Sequence, residues 1–194
     1  NGIRCLVQAA HMDAHASDDE RVAYVVDTDA GERALSIEGP WDGPTLPLSV
    51  DMGEVSELPE PDNWSALECH PDRPVRHLSL GNPHSVVGVD DVGAVDLLRL
   101  GGLVPHVNLE IVEPGPEPDA VTMRVHERGA GITLACGTGA CAAAAAALSW
   151  GLVPASAREV LVHMDGGDAR VRVADGRVVL IGPATYVGAV TVPL

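Results

Sequence analysis

Lysine and phenylalanine are missing from this chain of 194 residues, and all twelve of its basic residues are arginine. Without a lysine, these residues cannot hold pyridoxal phosphate as the usual Schiff base. The twelve arginines stand against twenty-eight Asp and Glu, a formal net charge of −16. That balance repels a phosphate backbone and excludes a nucleic-acid partner. Long hydrophobic runs are lacking too: Ala140 to Trp150, eleven residues, falls short of a membrane span. No charged segment followed by an apolar one opens the chain, so neither a secretory signal nor a membrane partner is expected. Cysteine is scarce. Cys5, Cys69, Cys136 and Cys141 do not form the pattern of a disulfide scaffold, which points to a reducing cytoplasm.

What is present reads as α+β. Gly2 to about Ala14 has Ile3, Leu6, Val7 and Ala10 on one helical face. Val22–Val26 and Arg33–Ile37 flank the turn residues Asp27 to Gly31, as in a hairpin, and Leu46–Met52 is a further strand. Ser56 to Pro74, with Pro59, Pro61, Pro71 and several acidic residues, reads as an exposed connection. Strands are expected at Val75–Leu80, Ser85–Val89, Val107–Val112, Val121–His126, Glu159–His163, Ala169–Val173 and Arg177–Ile181. A helix is expected from Asp91 to Leu100, stopped by Gly101-Gly102, and an alanine helix from about Gly139 to Trp150. Many strands and few helices in irregular order argue against a doubly wound parallel sheet. Asn1–Ala10 also aligns without gaps on Thr138–Ala147, a faint internal repeat.

The chemistry concentrates in Glu127-Arg128-Gly129-Ala130-Gly131-Ile132-Thr133-Leu134-Ala135-Cys136-Gly137-Thr138-Gly139-Ala140-Cys141. A cysteine set among glycines opens a long alanine helix there. A helix N-terminus offers unpaired N–H groups and partial positive charge, which hold a carboxylate or phosphate. A thiol at that place is expected to have a lowered pKa, poising Cys136 as nucleophile or base. The plainer reading makes Cys136 a small buried hydrophobe, as Cys5 and Cys141 are read. His11 and His15 are spaced i,i+4, but no third ligand accompanies them, so no metal is expected.

This long stretch resembles the second active-site motif of the diaminopimelate epimerase family. Gly81-Asn82-Pro83-His84 resembles the family's Gly-Asn-Pro-His motif, and Gly182-Pro183-Ala184 also fits. Asn1-Gly2-Ile3-Arg4-Cys5 resembles the tail of its first motif, Cys-Gly-Asn-Gly-x-Arg-Cys. The resemblance implies a cofactor-independent epimerase that interconverts L,L- and meso-2,6-diaminopimelate with two cysteines, one on each face of the α-carbon. It implies two similar domains, each a sheet curled around a central helix. Residues 1–53 with 183–194 would form the first and 54–182 the second. Cys136 matches the second catalytic cysteine. Gly137 and Thr138 match the backbone donors to the α-carboxylate, and Asn1 is their equivalent on the first helix. Asn82, Asn108, Glu127 and Arg128 match the residues that hold the distal amino-acid centre. His84, with Glu127, matches the groups that tune the cysteine pKa.

The resemblance places the first catalytic cysteine two residues before Asn1. The expectation is therefore a truncated chain that cannot epimerise, with Ile3, Leu6 and Val7 exposed and residues 1–15 poorly protected. Ile132 stands where the family commonly has Glu, and Gly188 where it often has an aromatic at a dimer contact; a homodimer is one expectation. A proline- or hydroxyproline-type racemase is the alternative on the same fold. A non-catalytic module that binds anions at the Cys136 loop is the alternative from another class. A cysteine hydrolase is disfavoured, since no histidine stands near Cys136 in sequence.

Overall fold

The computed structural model describes residues 1–14, 23–29, 31–39 and 43–191. In chain order its elements are α1 (Gly2–Ala14), β1 (Ala23–Thr28), β2 (Gly31–Ile37), β3 (Thr45–Glu54) and β4 (Ser56–Glu57). A 3₁₀ turn (Trp64–Leu67) leads to β5 (Val75–Ser79), β6 (Pro83–Gly88), α2 (Leu97–Leu103) and β7 (Asn108–Pro114). Then come β8 (Ala120–Glu127), β9 (Gly131–Thr133), α3 (Gly137–Trp150), β10 (Val160–His163), β11 (Ala169–Ala174) and β12 (Arg177–Thr185). The fold is α+β, with a mixed sheet and few helices. The chain forms two compact units, Asn1–Asp51 with Ile181–Leu194, and Met52–Leu180. The division falls inside β3 and β12.

In the first unit β1, β2 and β3 pair antiparallel in sequence, with Leu35 opposite Val50. Its buried residues include Leu35, Leu46, Leu48 and Val50. The helix α1 does not leave its apolar face bare: Val7 is buried, as are the polar Gln8 and His11, while Leu6 is exposed. This corrects the expectation for Val7. Gln8 Nε2 donates to the carbonyls of Pro44 (2.7 Å) and Ala184 (2.8 Å), and His11 Nδ1 meets the Tyr24 hydroxyl at 2.8 Å. Cys5, read as buried, is exposed. His15 and Val22 lie outside the described residues.

In the second unit the strand order is β12-β11-β10-β8-β7-β6-β5-β4, with β9 added beside β8. Two pairs are parallel, β6 with β7 and β10 with β8; most of the others are antiparallel. The helix α3 packs against β5, β6, β7, β8, β10 and β11. Residues 139–147 of this helix are all buried. Alanine and glycine suit that position, because a central helix ringed by strands has no room for larger side chains. Gly151 caps it in the left-handed conformation (φ 73°), its N–H bonding back to Ala147 and Leu148.

Because side chains alternate along a strand, β6 and β7 have two buried faces. Val86 and Val112 join the core around α3, whereas Val87, Leu109 and Ile111 join a second core with Trp64 and Leu97. Two expectations fail on this second side. The Ser56–Pro74 connection contains β4, paired with β5, and buries Trp64 edge-on against His77 (4.6 Å between ring centroids). The helix expected from Asp91 begins instead at Leu97, capped by Asp96. Asp91 makes an Asx turn onto Gly93 N (2.8 Å), and Val92 N is taken by Glu113 (2.6 Å). Gly101 and Gly102 do not stop α2 but lie within it. A Cβ on Gly101 would run into the His126 ring.

Candidate active site

Cys136 is the N-cap of α3, in extended conformation (φ −133°, ψ 114°). Its sulfur accepts from Gly139 N (3.4 Å) and lies 3.5 Å from the Thr138 hydroxyl. Gly137 and Thr138 supply the N–H groups that precede the first intrahelical bond. Burial dominates the sulfur: Cys136 is 6% exposed, and its thiol is pushed up to about 11. Desolvation raises it, the bonds from Thr138 and Gly139 lower it, and the charges of Glu110 and Glu127 raise it further. The lowered pKa expected from the helix end is thus overturned. Cys136 rests as a thiol.

Behind the sulfur runs a chain of side chains. Asn82 Nδ2 donates to the Thr138 hydroxyl (3.3 Å), and Asn82 Oδ1 faces His84 Nε2 (3.1 Å). His84 Nδ1 meets Glu110 Oε1 at 2.6 Å, both residues fully buried. The strands set this up. His84 and Val86 on β6, and Glu110 and Val112 on β7, point to the α3 face in alternation with Val87, Leu109 and Ile111. Glu110 is raised above the usual carboxylate range by burial, opposed by His84. A Cβ on Gly139 would come within 2.8 Å of Glu110 Oε1, so glycine lets the helix end approach the carboxylate.

A second group lies along β7, β8 and β9. Asn108, opposite His84 in the parallel register, donates from Nδ2 to Pro83 O (3.0 Å) and accepts Arg128 N at Oδ1 (2.8 Å). It ties the Gly81–His84 turn to the Glu127-Arg128 corner. Glu127 Oε1 accepts from the Thr133 hydroxyl (2.5 Å), while Arg128 is exposed. Ile132 packs against the core around Trp64 and Leu97. Asn1 belongs to the first unit, where its Oδ1 accepts from Arg4 Nη2 (2.5 Å).

The second unit therefore brings together Cys136, Thr138, Asn82 and His84, and links Asn108 to Arg128. Glu110 was not anticipated. Its signal was a charged residue inside Val107–Val112, a stretch otherwise apolar enough to be buried on both faces. A cavity of about 270 Å³ lies on the opposite face of β6 and β7, lined by Leu67, Cys69, Val87, Val95, Leu109 and Ile111 among others. It is mostly apolar, and its Arg73 is paired with Asp90 (2.6 Å). Acid–base chemistry needs titratable groups converging on one atom, so volume does not make this the site. Among the described residues no group of three His, Cys, Asp or Glu could hold a metal ion, and no helix is long and apolar enough to cross a membrane.

The family model for diaminopimelate epimerase matches residues 77–187. The diaminopimelate epimerase of Synechococcus elongatus is 38% identical over 207 residues, covering 96% of this chain and 70% of the relative. That of Magnetococcus marinus is 40% identical over 155 residues, covering 76% of this chain and 52% of the relative. The matches thus span between 52% and 70% of the length of these two relatives. Among solved structures, a predicted epimerase from Pseudomonas aeruginosa superposes with a TM-score of 0.70 at 18% identity, covering 96% of this chain and 73% of that one. A hydroxyproline epimerase from Agrobacterium vitis gives 0.62 at 16% identity, covering 96% and 64%. At such identities the two structures speak to the fold alone.

Proposed function

The chain belongs to the diaminopimelate epimerase family, and from that premise we propose that Cys136 is one of two cysteines that interconvert L,L- and meso-2,6-diaminopimelate without a cofactor. The observation that carries this reading is the Cys136 thiol at the head of α3, beside the N–H groups of Gly137 and Thr138. The other cysteine is the one expected two residues ahead of Asn1. As thiolate it takes the α-proton from one face, and the Cys136 thiol gives a proton to the other. Cys136 is left as thiolate and its counterpart as thiol, so the reverse reaction runs with the roles exchanged.

The difficult species is the carbanion at the α-carbon. The N–H groups of Gly137 and Thr138, aided by the helix end, accept the charge that spreads into the α-carboxylate. Asn82, Asn108, Glu127 and Arg128 hold the distal centre, Glu127 suiting its ammonium and Arg128 its carboxylate. His84 and Glu127 tune the cysteines. In this reading residues 1–53 with 183–194 are part of an N-terminal epimerase domain, and 54–182 form the C-terminal one. The setting is cytoplasmic, in lysine and cell-wall precursor biosynthesis; the partner is the small amino-acid substrate, with a homodimer as one option.

The test uses the protein extended upstream of Asn1, in heavy water and without pyridoxal phosphate. L,L-diaminopimelate, L-proline and trans-4-hydroxy-L-proline are offered in parallel. α-Deuterium incorporation with inversion on diaminopimelate supports the reading. Exchange on a proline alone moves the chain to the racemases, and binding with no exchange on any of the three makes it a binding module.

A further inference from the structure

Glu110 is the one fully buried carboxylate of the second unit that the proposed reaction leaves without work. Its Oε1 is spent on His84, and its Oε2 has no hydrogen-bond partner among the described residues. A buried acid in that state is costly unless its contact does something.

The direction of the hydrogen bonds says what it does. The Asn82 amide turns Oδ1 to His84 and Nδ2 to Thr138. His84 Nε2 must therefore carry hydrogen. One further proton lies between His84 Nδ1 and Glu110 Oε1, as acid against imidazole or as carboxylate against imidazolium. At the other end, the Thr138 hydroxyl accepts from Nδ2, which leaves its own hydrogen to donate to the Cys136 sulfur. With Gly139 N–H, that sulfur then receives two donors.

We propose that Glu110 is a positioning residue of the reaction. By sharing a proton with His84 Nδ1 it keeps hydrogen on Nε2, which fixes the Asn82 amide and commits the Thr138 hydroxyl to the Cys136 sulfur. The proposal rests on reading Cys136 as an acid–base group, and it specifies how the thiolate formed there is held. The charges that bear on the sulfur are Glu110 from β7 and Glu127 from β8, with His84 from β6 against Glu110. They make the prediction discriminating. Glu110 as a bare negative charge opposes the thiolate, so removing that charge alone should favour ionisation. Removing the relay should disfavour it.

In Glu110→Gln, the side-chain amide pairs with either tautomer of His84, so Asn82 is free to turn over. Alkylation of Cys136 by iodoacetamide, followed on its own peptide by mass spectrometry across pH, gives the midpoint of thiolate formation from the shape of the profile, apart from the access of the buried sulfur, and needs no turnover. The expected result in the alkaline range below the midpoint is a rate about tenfold lower than in the unmodified protein, the loss of one hydrogen bond to a charged acceptor. In a Thr138→Val background, where no hydroxyl remains to be directed, Glu110→Gln should no longer slow the reaction. If Glu110→Gln does not fold, Glu110→Leu with His84→Met replaces both buried partners by apolar groups and carries the same expectation. A faster or unchanged rate in the single variant overturns the proposal, as does equal slowing with and without the Thr138 hydroxyl. Exchange on diaminopimelate that survives in Cys136→Ala would instead sink the functional reading, and the titration would still be interpretable.

Discussion

At Cys136 the helix end and the surrounding core pull in opposite directions, and the core wins. Two donors and a helix N-terminus favour the thiolate, but the sulfur lies among apolar atoms and faces two carboxylates. The thiol is raised from 9.0 to about 11, so the folded state holds the proton more tightly than the unfolded one. The stability linked to this group is fully present below pH 9 and is lost as pH rises through 11. Urea unfolding across that interval should show a loss on the order of 2 kcal/mol that Cys136→Ser does not share. Equal losses in both proteins would contradict it. Cys136, Asn82 and His84 were legible in the sequence because each sits in a short motif with turn-forming neighbours. Glu110 was not, since its partner lies 26 residues away and meets it only through the parallel pairing of β6 with β7.

Among the elements, α3 shows sequence and packing in agreement. Its run of alanines predicts a helix, and the surrounding strands explain why nothing larger is used. Ala144→Leu, at a fully buried position, should therefore destabilise by about 1–3 kcal/mol or prevent folding. A urea midpoint left unchanged would mean that α3 is less enclosed than described. The helix α2 shows the opposite case. Paired glycines read as a stop, yet Gly101 is required inside the helix because the His126 ring occupies the space a Cβ needs. Local propensity predicts that Gly101→Ala stabilises α2; the packing predicts a loss of about 1–3 kcal/mol. The sign of the measured change in unfolding free energy decides between them. The start of α2 was equally hidden, since Asp91 and Asp96 are both cap-type residues: Asp91 turns onto Gly93 N while Glu113 takes Val92 N, and it is Asp96 that accepts from Arg99 N.

For the whole molecule, strand periodicity made the α+β class legible. The order of strands was not, because β6–β7 and β10–β8 join non-consecutive or parallel segments that no local pattern announces. The burial of Val7 likewise depends on tertiary packing, so α1 amides from Val7 to His11 should exchange slowly. Charge acts at this scale too. With a net −16 and twelve arginines, self-repulsion opposes the compact state, so raising sodium chloride from about 10 mM to about 0.5 M should raise the melting temperature by a few degrees. A fall would mean that specific ion pairs such as Arg172–Glu159 (2.7 Å) outweigh the repulsion.

The most direct test of the account is α-proton exchange on L,L-diaminopimelate in heavy water, with the protein extended upstream of Asn1, compared with its Cys136→Ala variant. Deuterium at the α-carbon with inversion to the meso form is expected in the unmodified protein. Inversion should fall in the variant by about two to four orders of magnitude, for removal of an acid–base group. Undiminished inversion in Cys136→Ala would rule out Cys136 as one of the pair.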